Sequence, residues 1–138
     1  MELIKRNTDY ALRALVHMAE TKHEGNYALA ELAAATGAPE TFLRKVVQKL
    51  DLAGVVETKR GRSGGVCFSK DPEEITVLEV VEAVQGPVAI NKCFVTDRAC
   101  AERSACLIRR NLGAIQNDLT GLLRAATVGQ LAGQNKTN

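Results

Sequence analysis

Three cysteines lie close together in the second half of the chain, at Cys93, Cys100 and Cys106. Thiolates are soft ligands, and three of them on one loop are typical of an iron–sulfur cluster or a zinc ion. Both kinds of centre normally need a fourth ligand, for which the candidates are Asp97, Glu102 or a residue from elsewhere in a dimer. The alternative is a set of free or redox-active thiols that hold no metal.

The expected compartment supports metal or redox chemistry at these cysteines. The N-terminal residues form no apolar signal segment, and no run approaches the roughly 18–20 apolar residues of a membrane span. We therefore expect a cytoplasmic protein that does not contact a membrane. In a reducing compartment, clustered cysteines serve metals or redox reactions more often than structural disulfides. The fourth cysteine, Cys67, stands apart on a predicted strand, where we expect a small buried residue.

A helix predicted over residues 39–53 has one apolar face and one polar face. Pro39 suits its first turn, and Gly54 suits its end. The apolar positions are Phe42, Leu43, Val46, Val47 and Leu50. The polar positions are Thr41, Arg44, Lys45 and Gln48. A shorter helix over residues 28–36, closed by Gly37, comes just before, and this pair is typical of a helix-turn-helix.

Two short β-like runs follow, over residues 55–58 and 66–68, and a glycine-rich basic segment over residues 59–65 joins them. Helix and hairpin together predict a winged helix, with the helix in the major groove of double-stranded DNA and the hairpin along the adjacent backbone. The net charge is only +2, but residues 41–62 carry six basic side chains against two acidic ones. Arg44 is the best candidate base reader, because a guanidinium can bond guanine through two hydrogen bonds. The expected backbone contacts are Lys49, Lys59, Arg60, Arg62, Ser63 and Gly64.

The remaining segments predict three further helices. One begins at Thr8 or Asp9, one follows a capping box over residues 76–79, and one covers residues 105–125 after an N-cap at Ser104. The last of these repeats apolar residues at spacings of four and three, at Ile108, Leu112, Ile115, Leu119 and Leu122. This seam predicts a homodimer, or packing on the first helix of the same subunit. Only a short turn is expected over residues 127–131.

The fold class expected from these elements is mainly α with a small β-wing: a winged helix-turn-helix domain followed by a long C-terminal dimerisation helix. Residues 1–88 would form the DNA-binding domain, residues 89–106 the cysteine cluster-binding loop, and residues 107–138 the dimerisation helix and tail. There is no glycine motif for nucleotide phosphates and no catalytic dyad, so the sequence does not indicate an enzyme or an electron carrier.

Several stretches match one known family: residues 8–13, 42–45, 60–65 and 75–81, together with the three-cysteine loop. In these stretches the chain resembles the winged helix-turn-helix regulators that include IscR and NsrR, the "Rrf-two" family, over nearly its whole length. The resemblance implies a dimeric transcriptional regulator, by preference a repressor, with one [2Fe-2S] or [4Fe-4S] cluster per subunit. Its DNA affinity would change with the cluster in response to redox stress, iron supply or nitric oxide.

The resemblance also implies a ligand set, with Cys93, Cys100 and Cys106 as cluster ligands. IscR-like proteins take the fourth ligand from a histidine three residues past the last cysteine, and that position is Arg109 here. NsrR-like proteins can take an aspartate near the start of the first helix of the other subunit, and Asp9 matches that position. An acid in a first helical turn is also favoured by the helix dipole alone. A zinc-stabilised or metal-free thiol regulator is the alternative.

Overall fold

The computed structural model describes residues 2–22, 25–96 and 103–134. In this part of the chain the helices are α1 (Arg6–Thr21), α2 (Leu29–Thr36), α3 (Glu40–Leu52), α4 (Val77–Gln85), α5 (Leu107–Ala125) and α6 (Val128–Gln134). The strands β1 (Val56–Lys59) and β2 (Gly65–Phe68) form one antiparallel hairpin. Short 3-10 turns lie at Pro72–Glu74, Lys92–Phe94 and Arg103–Ala105. The predicted fold class, mainly helical with a small β-wing, is confirmed. None of the described helices combines the length and the apolarity needed to cross a membrane.

Helices α2 and α3 form the predicted helix-turn-helix pair. Gly37 ends α2 in the left-handed region, with φ +74°, and its N–H donates to the Ala33 carbonyl at 2.9 Å. The hydroxyl of buried Thr36 then accepts the N–H of Ala38 at 3.3 Å. Because the turn satisfies its own backbone groups, α3 begins only two residues after Ala38.

We use the term head for α1 to α4, the hairpin and α6, which share one aliphatic core. Its fully buried side chains include Leu15, Leu32, Leu43, Leu50 and Val80. Burying one such side chain contributes about 1.5–3 kcal/mol relative to leaving it in water. This core fixes how α3 is oriented, because α3 can bury its apolar face only by turning its polar face outward.

Tyr27 pairs with the wing as an isolated β-bridge, which the sequence did not indicate. The N–H of Tyr27 donates to the Val66 carbonyl and the N–H of Val66 donates to the Tyr27 carbonyl, both at 2.8 Å. Gly65 allows this close approach, since a Cβ there would collide with the Tyr27 carbonyl and its φ is +145°. The wing is therefore attached to the segment between α1 and α2 as well as to α3.

The first helix begins at Arg6, earlier than predicted, and a distant side chain is bonded to its first turn. The Lys5 N–H and the Thr8 hydroxyl donate to Gln85 Oε1 at 3.1 and 2.6 Å. The Gln85 amide nitrogen in turn donates to the Leu3 carbonyl at 2.8 Å. The end of α4 thus holds the start of α1.

The capping box before α4 forms only in part. The Thr76 hydroxyl accepts the Glu79 N–H at 3.1 Å, as predicted. The Glu79 carboxylate, however, accepts from Lys70 Nζ at 2.6 Å instead of reaching back to Thr76. A tertiary ion pair replaces the second half of the box.

The C-terminal part differs from the prediction at both ends. The cap of α5 is Cys106 rather than Ser104, which lies in the preceding 3-10 turn. Where a short turn was predicted, α6 is a helix, and its Val128 and Ala132 are buried in the head. The Val128 N–H donates to the Ile75 carbonyl at 2.8 Å, so the chain returns to the head after α5.

Candidate nucleic-acid interface and cysteine site

Helix α3 divides its side chains cleanly between core and solvent. Leu43, Val46, Val47 and Leu50 are buried. The predicted groove-facing residues Thr41, Arg44, Lys45 and Gln48 are all exposed. The structure therefore places these four residues on the open side of the second helix of a helix-turn-helix, which is the position of a recognition helix.

Arg44 is paired with Glu40 one turn earlier, at 3.4 Å between Nη2 and Oε1. Both side chains are exposed, and exposed ion pairs contribute little to stability. The guanidinium can therefore leave Glu40 for a nucleic-acid acceptor at small cost.

Lys49 differs from the other basic residues of α3. Its Nζ donates to the Val84 carbonyl at 3.1 Å, at the end of α4. Its predicted phosphate contact would require the side chain to release this carbonyl. The sequence did not indicate this contact, which depends on the packing of α4 against α3.

The wing places Lys59, Arg60, Arg62 and Ser63 in solvent, with Gly64 partly covered. The Asn26 side-chain amide donates to the Ser63 carbonyl at 2.9 Å, and the Thr58 hydroxyl donates to the Asp51 carboxylate. A Cβ at Gly64 would collide with the Lys59 carbonyl, so this tight tip requires glycine. The basic wing is thus held to both neighbouring parts of the head.

Two of the three clustered cysteines lie within the described residues. Cys93 is half-buried in the 3-10 turn Lys92–Phe94, and half-buried Cys106 caps α5. Both are free thiols, and the Cys106 sulfur accepts the Arg109 N–H at 3.4 Å. Cys100 lies outside the described residues, as do the candidate ligands Asp97 and Glu102.

Arg109 contacts Cys106 through its backbone N–H and Phe94 through its side chain. Its guanidinium carbon is 5.6 Å from the centre of the Phe94 ring. Its Nε is shielded from solvent and has no acceptor in the described part of the chain. A buried donor without a partner is unusual in a folded protein.

Gln116 of α5 fixes the segment that leads into Cys93. Its amide nitrogen donates to the Val88 carbonyl at 2.6 Å, and its amide oxygen accepts the Ile90 N–H at 2.9 Å. One side chain thus satisfies two backbone groups of the segment between α4 and Cys93. The loop start and α5 are joined independently of the cysteines.

Asp9 lies in the first turn of α1, where its carboxylate pairs with Arg13 at 2.8 Å. No three potential ligand side chains meet within residues 2–22, 25–96 and 103–134. Asp9 therefore does not join Cys93 and Cys106 inside a single chain. The prediction that assigns it to a centre involves a second subunit.

Cys67 faces Glu57 across the hairpin and is half-buried rather than fully buried as expected. Its sulfur lies 3.7 Å from the Glu57 carbonyl. As the sequence indicated, it belongs to the wing and not to the cysteine loop.

Helix α5 exposes part of its heptad seam. One side packs on α4, where Leu119 and Leu123 contact a cluster built on Leu78 and Val81. Ile108, Ile115 and Leu122 point away from the head, with 65%, 56% and 71% of their surface exposed. We call these three residues the α5 stripe.

Comparison with known proteins agrees with this geometry. The Rrf2 family, described as "Iron-dependent Transcriptional regulator", matches residues 4–134. The chain belongs to the Rrf2 family. The HTH-type transcriptional repressor NsrR of Streptomyces coelicolor is 34% identical over 126 residues, which cover 90% of this chain and 84% of that protein.

Solved structures support the same fold. CymR, the global cysteine regulator of Bacillus subtilis, matches with a TM-score of 0.80 and 24% identity, covering 97% of this chain and 98% of that chain. IscR of T. potens matches with a TM-score of 0.75 and 18% identity, covering 98% and 90%. The resemblance inferred from the sequence motifs is confirmed, and this Rrf2 protein is a transcriptional regulator by family.

Three residues of this Rrf2 chain have contacts that sequence reasoning missed: Lys49, Gln116 and Arg109. For Lys49 and Gln116 no local signal exists, because their partners are distant along the chain. For Arg109 a signal was present, since it stands three residues after Cys106 and therefore on the same helical face.

Proposed function

We propose that this chain is a homodimeric repressor that binds double-stranded DNA in the cytoplasm and whose DNA affinity is set by an iron–sulfur cluster, [2Fe-2S] or [4Fe-4S]. The observation that carries the DNA-binding half is the outer face of α3. Thr41, Arg44, Lys45 and Gln48 are exposed there, while four apolar residues of the opposite face are buried. Arg44 would read a base, and the wing residues Lys59, Arg60, Arg62, Ser63 and Gly64 would contact the backbone.

The dimer rests on the α5 stripe. Apolar residues at seven-residue intervals that remain exposed in one chain are typical of a helix that packs on its symmetry mate. Two heads held in this way would meet two half-sites about one helical turn apart.

The cluster rests on the donor chemistry of the loop. Cys93 and Cys106 are free, half-buried thiols at its two ends. The Nε–H of Arg109, which has no acceptor among the described residues and belongs to a side chain packed on Phe94, suits an anionic sulfur centre. Cys93, Cys100 and Cys106 would be three ligands, and Asp9 of the second subunit the fourth. The description of the Rrf2 family as iron-dependent supports iron over zinc. When bound, such a centre supplies a group that oxidants and nitric oxide can alter.

The contacts of the chain suggest how the loop and the DNA-binding face are coupled. Cys106 is the cap of α5, so a change at its sulfur alters the start of that helix. Gln116 joins α5 to the segment after α4, and the end of α4 holds Lys49 of α3. A shift of the loop would therefore reach the recognition helix through packed elements, and through α5 it would change the spacing of the two heads.

Anaerobic purification followed by metal, sulfide and DNA-binding analysis tests the proposal. We expect a brown protein with iron and sulfide, whose affinity for a selected duplex changes when the cluster is removed. Cys106→Ser should abolish the colour, whereas Cys67→Ser should keep it, because Cys67 lies on the wing. Colourless wild-type protein, or equal behaviour of both variants, would contradict the cluster.

A second candidate function is a DNA-binding regulator based on thiols alone or on zinc. It is favoured by the same observation that Cys93 and Cys106 are free in the described structure. One zinc per chain in a colourless protein would support the zinc form. Metal-free protein whose DNA affinity changes reversibly on thiol oxidation would support the thiol form.

A further inference from the structure

Arg109 carries the one buried side-chain nitrogen or oxygen atom of the described residues that lacks a hydrogen-bond partner. Its Nε is shielded from solvent, and no ion pair joins it to a carboxylate of the described chain. No described residue therefore supplies an acceptor to this N–H, and an anionic acceptor suits a guanidinium best.

Both ends of the cysteine loop hold Arg109 in place. Its backbone N–H donates to Cys106 Sγ at 3.4 Å, and its guanidinium lies over the ring of Phe94, 5.6 Å from the centroid. Phe94 directly follows Cys93 in the same turn. A basic side chain, whose Nε–H has no acceptor in the described part of the chain, thus packs on the residue that follows Cys93 and begins three residues after Cys106.

We propose that Arg109 is a positioning residue for an anionic, thiolate-ligated iron centre. Arginine has no lone pair to donate, so it cannot itself be a ligand. Its role is to supply positive charge and an N–H donor to the sulfur atoms on the Cys106 side. Donors to sulfur and neighbouring charge set the reduction potential and retention of such centres. This inference rests on the proposed function.

Three variants test the role, each prepared and loaded with iron and sulfide without oxygen. Arg109→Met removes the charge and the donor but keeps an unbranched stem to pack on Phe94. Arg109→Lys keeps the charge without the Nε–H. Arg110→Met is the matched control, because Arg110 is the exposed neighbour on the same helix. The measurements are the rate of iron release to a chelator, the reduction potential, and the melting temperature of the metal-free protein.

We expect Arg109→Met to bind the centre about 10–100-fold more weakly, seen as faster iron release, and to lower its reduction potential. Arg109→Lys should lie between this variant and wild type, and Arg110→Met should match wild type. The metal-free Arg109→Met protein should melt no lower than wild type, because the substitution removes an unsatisfied buried donor.

Two results would overturn the assignment. Unchanged iron release and potential in Arg109→Met would leave Arg109 without a role at the centre. A melting temperature of the metal-free protein that falls together with iron retention would make Arg109 a packing residue only. Wild-type protein that takes up no iron under these conditions would instead refute the proposed function, and the Arg109 role with it.

Discussion

Helices α3 and α5 both carry apolar side chains at helical spacing, but within one chain α3 buries four of them and α5 buries none. The four core residues of α3 have at most 5% of their surface exposed. No residue of α5 is buried, and the α5 stripe is more than half exposed. The core-facing side of α3 is covered by the head of the same chain, whereas α5 presents an apolar surface to solvent.

The difference indicates what each surface can bind. The open side of α3 is polar and basic, and phosphates and base edges bind such a surface. The α5 stripe is aliphatic, and only another apolar surface gains free energy by covering it. A single exposed leucine is common on protein surfaces and does not indicate a binding surface. Three large apolar residues at seven-residue intervals do indicate one.

The largest effect should come from the buried side of α3. Leu50→Ala removes a side chain that is 1% exposed and should lower the free energy of unfolding by about 2–5 kcal/mol. Leu52→Ala, two residues later, changes a side chain that is 90% exposed and should stay within about 0.5 kcal/mol of wild type. Urea denaturation measures both, and equal losses would contradict the orientation of α3.

The next effect concerns the stripe of α5. Ile115→Glu places a charge in the proposed dimer contact and should cost about 1.5–3 kcal/mol per subunit of lost burial, so that the protein becomes monomeric. Asn117→Glu adds the same charge on another exposed side of α5 and should leave the dimer intact. Analytical ultracentrifugation measures the mass. A dimer that survives Ile115→Glu would rule out the stripe as the contact.

The outer face of α3 should show sequence-dependent losses. Arg44→Ala should weaken binding to a selected duplex by about 1–3 kcal/mol and relax the preference at one base pair. Lys59→Ala on the wing should weaken selected and random duplexes alike and reduce the salt dependence by about one unit of slope. Fluorescence anisotropy at several salt concentrations separates the two. Equal losses on both duplexes for Arg44→Ala would remove its role as base reader.

The smallest effect should come from Lys49, which belongs to α3 but bonds to the end of α4. Lys49→Met removes the hydrogen bond to the Val84 carbonyl and should cost about 0.5–1.5 kcal/mol of stability. Because the Lys49 amine is bonded to Val84 rather than free for a phosphate, Lys49→Met should change the salt dependence of DNA binding less than Lys45→Met does. A drop in slope equal to that of Lys45→Met would favour the phosphate contact instead.

Features set by neighbours in sequence were predicted well. The two faces of α3, the turn at Gly37, the hairpin and the Thr76 cap depend on spacing or on groups a few residues apart. The family motifs likewise lie in short stretches, and the match over residues 4–134 confirms them. The backbone geometry of these features depends on neighbouring residues and not on the tertiary surroundings, so the sequence is enough to predict them.

Features set by distant partners were missed or misplaced. The start of α1 depends on Gln85, and the burial of α6 depends on Ile75 and α1. Such contacts form between segments far apart in the chain, and no local pattern encodes them.

The sequence by itself determined which residue types could act, namely a basic helix face, a glycine-rich wing and three spaced cysteines. The tertiary structure decided which of them are free to act. It left Arg44 and Lys45 open and engaged Lys49 with α4, and it placed Arg109 with an unused donor beside Cys106. The spacing of residues along the chain defines which side chains share one face of a helix or strand. Only tertiary packing determines which of these faces remain exposed to solvent.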